Sequence, residues 1–263
     1  MRPPVKLLVD DMKHEPYASI LCYPRSEPQE VESRISELKG IGVTALEFAG
    51  ECSAADHPVL GKGYTGVVLI AYRGEERFAL KILRVDSGRD DMMHEAEMLK
   101  EANASNVGPR FEAVTKNFIL SQMLTEGSME KWLDKHRDKG TFRSILNDVL
   151  EQCWRLDRAG LYHRELSEAP GHLLMDGGRP FIVDFETASI CDRPGNVTSV
   201  CNYIFLGHTF LSKLVHDVLG GTDRSGVIDS LRRYKNERSR ESFEALLTIS
   251  RIGDRDARAC AKD

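Results

Sequence analysis

The longest uninterrupted apolar run is Val67-Val68-Leu69-Ile70-Ala71-Tyr72, far short of the roughly 20 residues a membrane helix needs, so no membrane span is expected. Cysteine is sparse. Cys22, Cys52, Cys153, Cys191, Cys201 and Cys260 lie far apart and form no C-x-x-C pair, which argues against a disulfide scaffold and for reduced thiols. There is no excess of positive charge: 36 Lys and Arg face 41 Asp and Glu, for a net charge of −5. That weighs against a generally basic nucleic-acid binder, leaves a local basic groove open, and gives no nucleic-acid signal. Only 21 glycines and 10 prolines occur among 263 residues, too few for a collagenous or disordered chain. No internal repeat or low-complexity segment is visible. The start, Met1-Arg2-Pro3-Pro4-Val5-Lys6, soon reaches Asp10-Asp11 and shows no secretory apolar core, so a cytoplasmic location is expected. Asn196-Val197-Thr198 then reads as a chance glycosylation sequon. What remains, 41% hydrophobic and 29% charged, is ordinary globular composition.

Residues 1–54 read as a small extension of strand, helix and strand. Ile20-Leu21-Cys22-Tyr23 is a candidate strand. Ser26-Glu27-Pro28-Gln29 has the form of a capping box, Val31, Ile35 and Leu38 recur at helical spacing, and Gly40 stops the helix. Ala45-Leu46-Glu47-Phe48 is a second strand, and the segment carries no evident chemistry. From Val59 the pattern becomes strand, glycine loop, strand, turn, strand: Gly61-Lys62-Gly63-Tyr64-Thr65-Gly66, the run to Tyr72, a turn at Arg73 to Glu76, then Arg77 to Leu83. A helix is expected from about Asp90 to Ala102 with Ser87 as cap, and a strand at Phe118-Ile119-Leu120. Beyond Gln122 helices dominate. Ser128 caps one helix. Thr141 to Ala159 is another, with Phe142, Leu146, Val149, Cys153 and Leu156 on one face and Gly160 as its stop. Leu173 to Met175 and Phe181 to Val183 form a hairpin, and two or three amphipathic helices follow Thr198. Strands then helices indicate an α+β protein of two lobes, at 55–122 and 123–263.

G-x-G-x-x-G serves two architectures. In a dinucleotide-binding module it opens a helix, with a ribose-binding acid about 20 residues on, and Asp86 has that offset from Gly66. Here a β-branched strand follows Gly66 instead, which favours a phosphate-covering hairpin extending to Val68. Phe78-Ala79-Leu80-Lys81 then places a lysine between apolar neighbours one hairpin later. Alone, Lys81 would pass for a surface lysine on an amphipathic strand; its position after the loop favours a functional one. On the next helix Glu95 lies three after Met92 and four before Leu99, on the apolar face, where a carboxylate needs a partner such as Lys81. The plainer reading of Glu95 is a half-exposed acid on the helix flank; Glu97 reads as solvated. His94-Glu95 is no zinc motif, because residue 98 is Met.

Two further motifs, Leu161-Tyr162-His163-Arg164-Glu165-Leu166 and Ile182-Val183-Asp184-Phe185-Glu186, complete the pattern. The chain resembles the protein-kinase-like superfamily from about Leu60 to Ala188, with H-R-E-L for H-R-D-L, D-F-E for D-F-G, and Phe118 to Met129 resembling the hinge. H-x-E-L-S with I-x-D-F-E-x-A-S resembles a group of atypical archaeal Ser/Thr kinases related loosely to RIO kinases. The resemblance implies a two-lobed kinase-like fold with a strand-rich N-lobe and a short helical C-lobe. It implies an ATP-dependent phosphotransferase, an atypical Ser/Thr kinase, working with ATP and Mg²⁺ or Mn²⁺. By the same resemblance, Gly61, Lys62, Gly63, Gly66 and Val68 cover the nucleotide. Ala79, Gln122, Met123 and Leu124 line adenine. Lys81, held by Glu95, pairs with phosphate oxygens, Glu165 orients or deprotonates an acceptor hydroxyl, and Asp184 binds the metal with Glu186 as a second carboxylate. The family's metal-binding Asn falls on Pro170; an expansion of two residues brings His172 into register, as in lipopolysaccharide-core sugar kinases. Imidazole suits Mg²⁺ poorly, so His172 is expected at phosphate or the loop. No A-P-E segment follows Asp184, so Arg164 is expected to be structural and the C-lobe reduced. The acceptor is a hydroxyl on a protein or, alternatively, on a sugar-like or lipid-like small molecule; a nucleotide-binding pseudokinase regulator is the non-catalytic alternative.

Overall fold

The computed structural model describes residues 4–253 apart from 169 and 222. Its strands are β1 (Val5–Leu8), β2 (Ala45–Phe48), β3 (Cys52–Ala54), β4 (His57–Val59), β5 (Gly61–Lys62), β6 (Gly66–Arg73), β7 (Glu76–Leu83), β8 (Phe111–Val114), β9 (Phe118–Gln122), β10 (Leu161–Tyr162), β11 (Leu173–Asp176), β12 (Arg179–Ile182) and β13 (Ser189–Ile190). Its helices are α1 (Ala18–Leu21), α2 (Pro28–Gly40), α3 (Met93–Ala104), α4 (Met129–Lys135), α5 (Lys139–Ala159), α6 (Asn196–Cys201), α7 (Phe210–Leu219), α8 (Arg224–Glu237) and α9 (Arg240–Ile249). The protein is α+β. Two units are distinguished: one runs to Lys100 and adds Pro109–Met123, the other takes Glu101–Gly108 and continues from Leu124.

The first unit is built on an antiparallel sheet in the order β1-β2-β6-β7-β9-β8, with β5 paired to β6. Alternation along β7 buries Phe78, Leu80 and Ile82 on one face, where they join Val31 and Leu38 of α2, Leu46 and Phe48 of β2, and Phe118 of β9 in a single core. The 1–54 segment is therefore built into this unit: β2 pairs directly with β6, Ala45 opposite Tyr72. Its helix carries Arg34, 2% exposed, whose guanidinium donates to the carbonyls of Leu21 and Leu83 and to Asn117 Oδ1, with Glu30 at 2.7 Å. Such a cation is tolerated in a core only with its donors satisfied.

Three local expectations change. Ile20 to Tyr23 is not a strand; Ala18–Leu21 is a helical turn, and a run of four apolar residues does not tell the two apart. Glu27, not Ser26, is the N-cap of α2, because Pro28 supplies the preset first helical residue and the Ser26 hydroxyl donates to Glu15 instead. α3 starts at Met93, whose amide donates to Asp91; Ser87 accepts the Arg89 amide in a turn before it.

The second unit is organised by α5. Asp138 caps its start by accepting the Thr141 amide, and Gly160 ends it at φ +75°. Phe142, Leu146, Val149, Cys153 and Leu156 are all buried, as the spacing predicts. β11 and β12 form the expected hairpin around Gly177-Gly178, both at positive φ. Among the described residues, five further helices follow Gly195, one of them a π-turn at Asn202–Leu206. No helix among the described residues is long and apolar enough to cross a membrane. Cys22, Cys52, Cys153, Cys191 and Cys201 are free thiols; Cys260 lies outside the described residues.

Candidate functional site

Residues directly paired across a sheet share a face, and the ladder sorts the expected ligands of the first unit. Val68 lies opposite Lys81, and Ile70 opposite Ala79. Val68, Ala79 and Lys81 thus occupy the face turned away from the α2 core. Lys62 does not join them. It pairs with Val67 on the core side, and its ammonium lies 4.9 Å from the Tyr23 ring, so only its backbone belongs to the loop. Gln122 is likewise displaced: it pairs with Phe78, and its side-chain oxygen accepts the Arg110 amide, leaving Ser121 on the Lys81 face. The chain passes from one unit to the other at Met123 and Leu124.

The Lys81 ammonium lies 2.8 Å and 2.9 Å from the two carboxylate oxygens of Glu95. Both side chains are largely enclosed, 16% and 11% exposed, so the pair is a desolvated one that exposed ion pairs do not resemble. α3 buries Glu95 along with Ala96 and Leu99, as Met92 just before it is buried, and leaves Glu97 in solvent. The three loop glycines differ. A Cβ on Gly66 would stand 3.0 Å from Lys81 Cε and 3.1 Å from Ile82 O, so this glycine admits the lysine stem. Among the described residues, a Cβ on Gly61 or Gly63 meets nothing closer than 3.6 Å, so none of them demands glycine there. Arg84 secures the loop by donating to Gly63 O at 2.9 Å while chelating Asp86. Asp86 is paired to Arg84, and a strand, β6, follows Gly66 where a dinucleotide-binding module would open a helix.

In the second unit His163 organises the loop that carries Glu165. It is fully buried; its Nε2 lies 2.9 Å from Val183 O, and its Nδ1 is 3.4 Å from the Glu165 amide that donates to it. The ring therefore carries its proton on Nε2 and accepts at Nδ1. Burial pushes its pKa down to about 4, so it is neutral near pH 7. Its backbone amide donates to Asn196 Oδ1, and Asn196 donates in turn to Leu161 O and Asp157. Asp157 also accepts from the Asn196 and Val197 amides and the Tyr234 hydroxyl. Burial raises the Asp157 pKa, and these hydrogen bonds oppose the rise. Asn196 is thus wholly engaged inside the unit and fully buried.

The sequence reading missed Asp157 and Asn196. Asp157 follows Cys153 by four on the apolar face of α5, the same signal that singled out Glu95; Asn196 gave none. Arg164 takes φ +75° and aims Nε and Nη2 at Ser189 Oγ, at 3.0 and 2.8 Å, in the structural role expected. Asp184 also has left-handed backbone, φ +69°, a conformation that non-glycine residues hold only where surroundings enforce it. Asp184 and Glu186 bring carboxylate oxygens within 4.8 Å of each other, a donor set suited to a hard divalent cation. Pro170 is exposed. His172 lies beside Glu165, Nδ1 to Oε2 3.8 Å, with its ring edge-on to His163.

Comparison with protein-family models and with curated proteins finds no match to this chain.

Proposed function

We propose that this protein is an ATP-dependent phosphotransferase of kinase-like fold that moves the γ-phosphate to a hydroxyl, with a protein Ser/Thr acceptor favoured by the family resemblance. The enclosed Lys81–Glu95 pair carries the reading. A lysine brought out of water on a strand, oriented by a carboxylate and flanked by a glycine hairpin, is suited to grip phosphate oxygens. Gly61, Gly63 and Gly66 let backbone amides approach those oxygens. In this reading Asp184, with Glu186, holds Mg²⁺ or Mn²⁺, which when bound offsets charge on the phosphates. Glu165 orients the acceptor hydroxyl and takes its proton. Its half-exposed side chain leaves room for an acceptor to reach it.

The test is transfer of label from [γ-³²P]ATP with Mg²⁺ or Mn²⁺ to a lysate of the source cell, split into protein and small-molecule fractions. Label in protein supports the leading reading, and label in sugars or lipids moves the acceptor to the alternative class. Binding of ATP without loss of its γ-phosphate would make the chain a nucleotide-binding regulator. Lys81→Ala should abolish transfer.

A further inference from the structure

His172 Nδ1 is enclosed, has no hydrogen-bond partner among the described residues, and lies 3.8 Å from Glu165 Oε2. An enclosed nitrogen without a partner is unfavourable, so the arrangement persists only where something else fixes the ring. Here that is the backbone: the Val183 amide donates to His172 O at 3.0 Å, tying this residue to the strand end that precedes Asp184, while the ring packs edge-on against His163. Glu165 is the movable member, with its side chain 38% exposed against 18% for His172. A shift of under an ångström in the carboxylate makes the hydrogen bond. Such contacts are often long in the free enzyme and tighten when substrate is bound.

We infer that His172 is the positioning residue for Glu165: its Nδ1–H donates to Oε2 and turns the other carboxylate oxygen toward the acceptor. The inference rests on the phosphotransferase reading and gives His172 a task other than contact with the nucleotide. The acceptor O–H bond breaks and its proton passes to Glu165 Oε1. The freed oxygen pair forms the new O–P bond, and the bond from the γ-phosphorus to the bridging oxygen breaks with its electrons leaving on ADP. His172 keeps its proton throughout.

Two measurements on the full chain test this. In long-range ¹H–¹⁵N spectra the His172 ring should carry its proton on Nδ1, and Glu165→Ala should shift it toward Nε2; an Nε2 proton in the unaltered chain overturns the role whether or not the chain is active. In label transfer to the most strongly labelled lysate fraction, His172→Leu should lower kcat by about 10- to 100-fold with the KM for ATP within about twofold. His172→Asn, which keeps a donor near the Nδ1 position, should recover most of the loss, and His172→Leu added to Glu165→Gln should slow transfer no further. A raised KM with kcat intact would instead make His172 a nucleotide contact. No transfer by the unaltered chain, with the Nδ1 proton still present, would remove the phosphotransferase reading and the role with it.

Discussion

Lys81 and Arg34 answer one problem in opposite ways: each is a cation on an otherwise apolar element. Arg34 is closed off by three fixed acceptors and Glu30, so it can only hold the first unit together. Lys81 has Glu95 on one side and the bare backbone of Gly66 on the other. Replacing Arg34 with Met should cost about 3 kcal/mol or more, because three buried acceptors lose their donor; urea denaturation reads this directly. Gly66→Ala should lower stability by roughly 1–3 kcal/mol and weaken nucleotide binding, since its Cβ meets the lysine stem and Ile82 O. Gly63→Ala should leave stability within about 0.5 kcal/mol, as its Cβ has room. Calorimetric titration with Mg·ATP then shows whether a ligand, rather than the fold, needs that glycine. For Glu165→Ala, binding of Mg·ATP should survive while transfer slows by about 10²–10⁴-fold; unchanged turnover would remove Glu165 from the mechanism.

At the scale of elements, α2 and the strands flanking it decide whether the first unit exists. β2 lies between β1 and β6, so deleting 1–54 would bare the edge of β6 and strip Leu46 and Phe48 from the core. A chain starting at residue 55 is expected to be insoluble or to lose its cooperative melt, which circular dichroism during heating would show. In the other unit Gly160 terminates α5 in left-handed backbone with the Cys191 carbonyl only 3.3 Å from where a Cβ would stand. Gly160→Ala should destabilise by about 1–2 kcal/mol, measured by the same melt.

For the molecule as a whole, pH links burial to stability. His163 has a folded pKa of about 4 against an ordinary 6.5, so below pH 6.5 the unfolded chain takes up a proton that the folded chain refuses. Its contribution is complete above pH 6.5 and is lost as pH falls toward 4, about 2 kcal/mol between pH 7 and pH 5. Asp157 acts the other way: with its folded pKa raised, acidification relaxes a penalty present at neutral pH. Comparing unaltered protein with His163→Asn isolates the first effect. The variant should lose less stability than the parent from pH 7 to pH 5, and equal losses would show that His163 does not drive the difference.

Periodicity and spacing by themselves determined the strand–loop–strand order around Gly61 to Leu83, the apolar face of α5, the hairpin at Gly177, and the inward turn of Glu95. Each depends on residues within a few turns or one hairpin, where geometry follows directly from the number of intervening residues. Only the tertiary structure decided that 1–54 completes the sheet, that Arg34 and Asp157 are buried and satisfied, that Lys62 and Gln122 turn to the core side, and that His172 stands against Glu165. Those outcomes turn on which distant backbone groups arrive beside a side chain, such as Leu83 O beside Arg34 or Val183 beside His163 and His172, and local spacing carries no record of them.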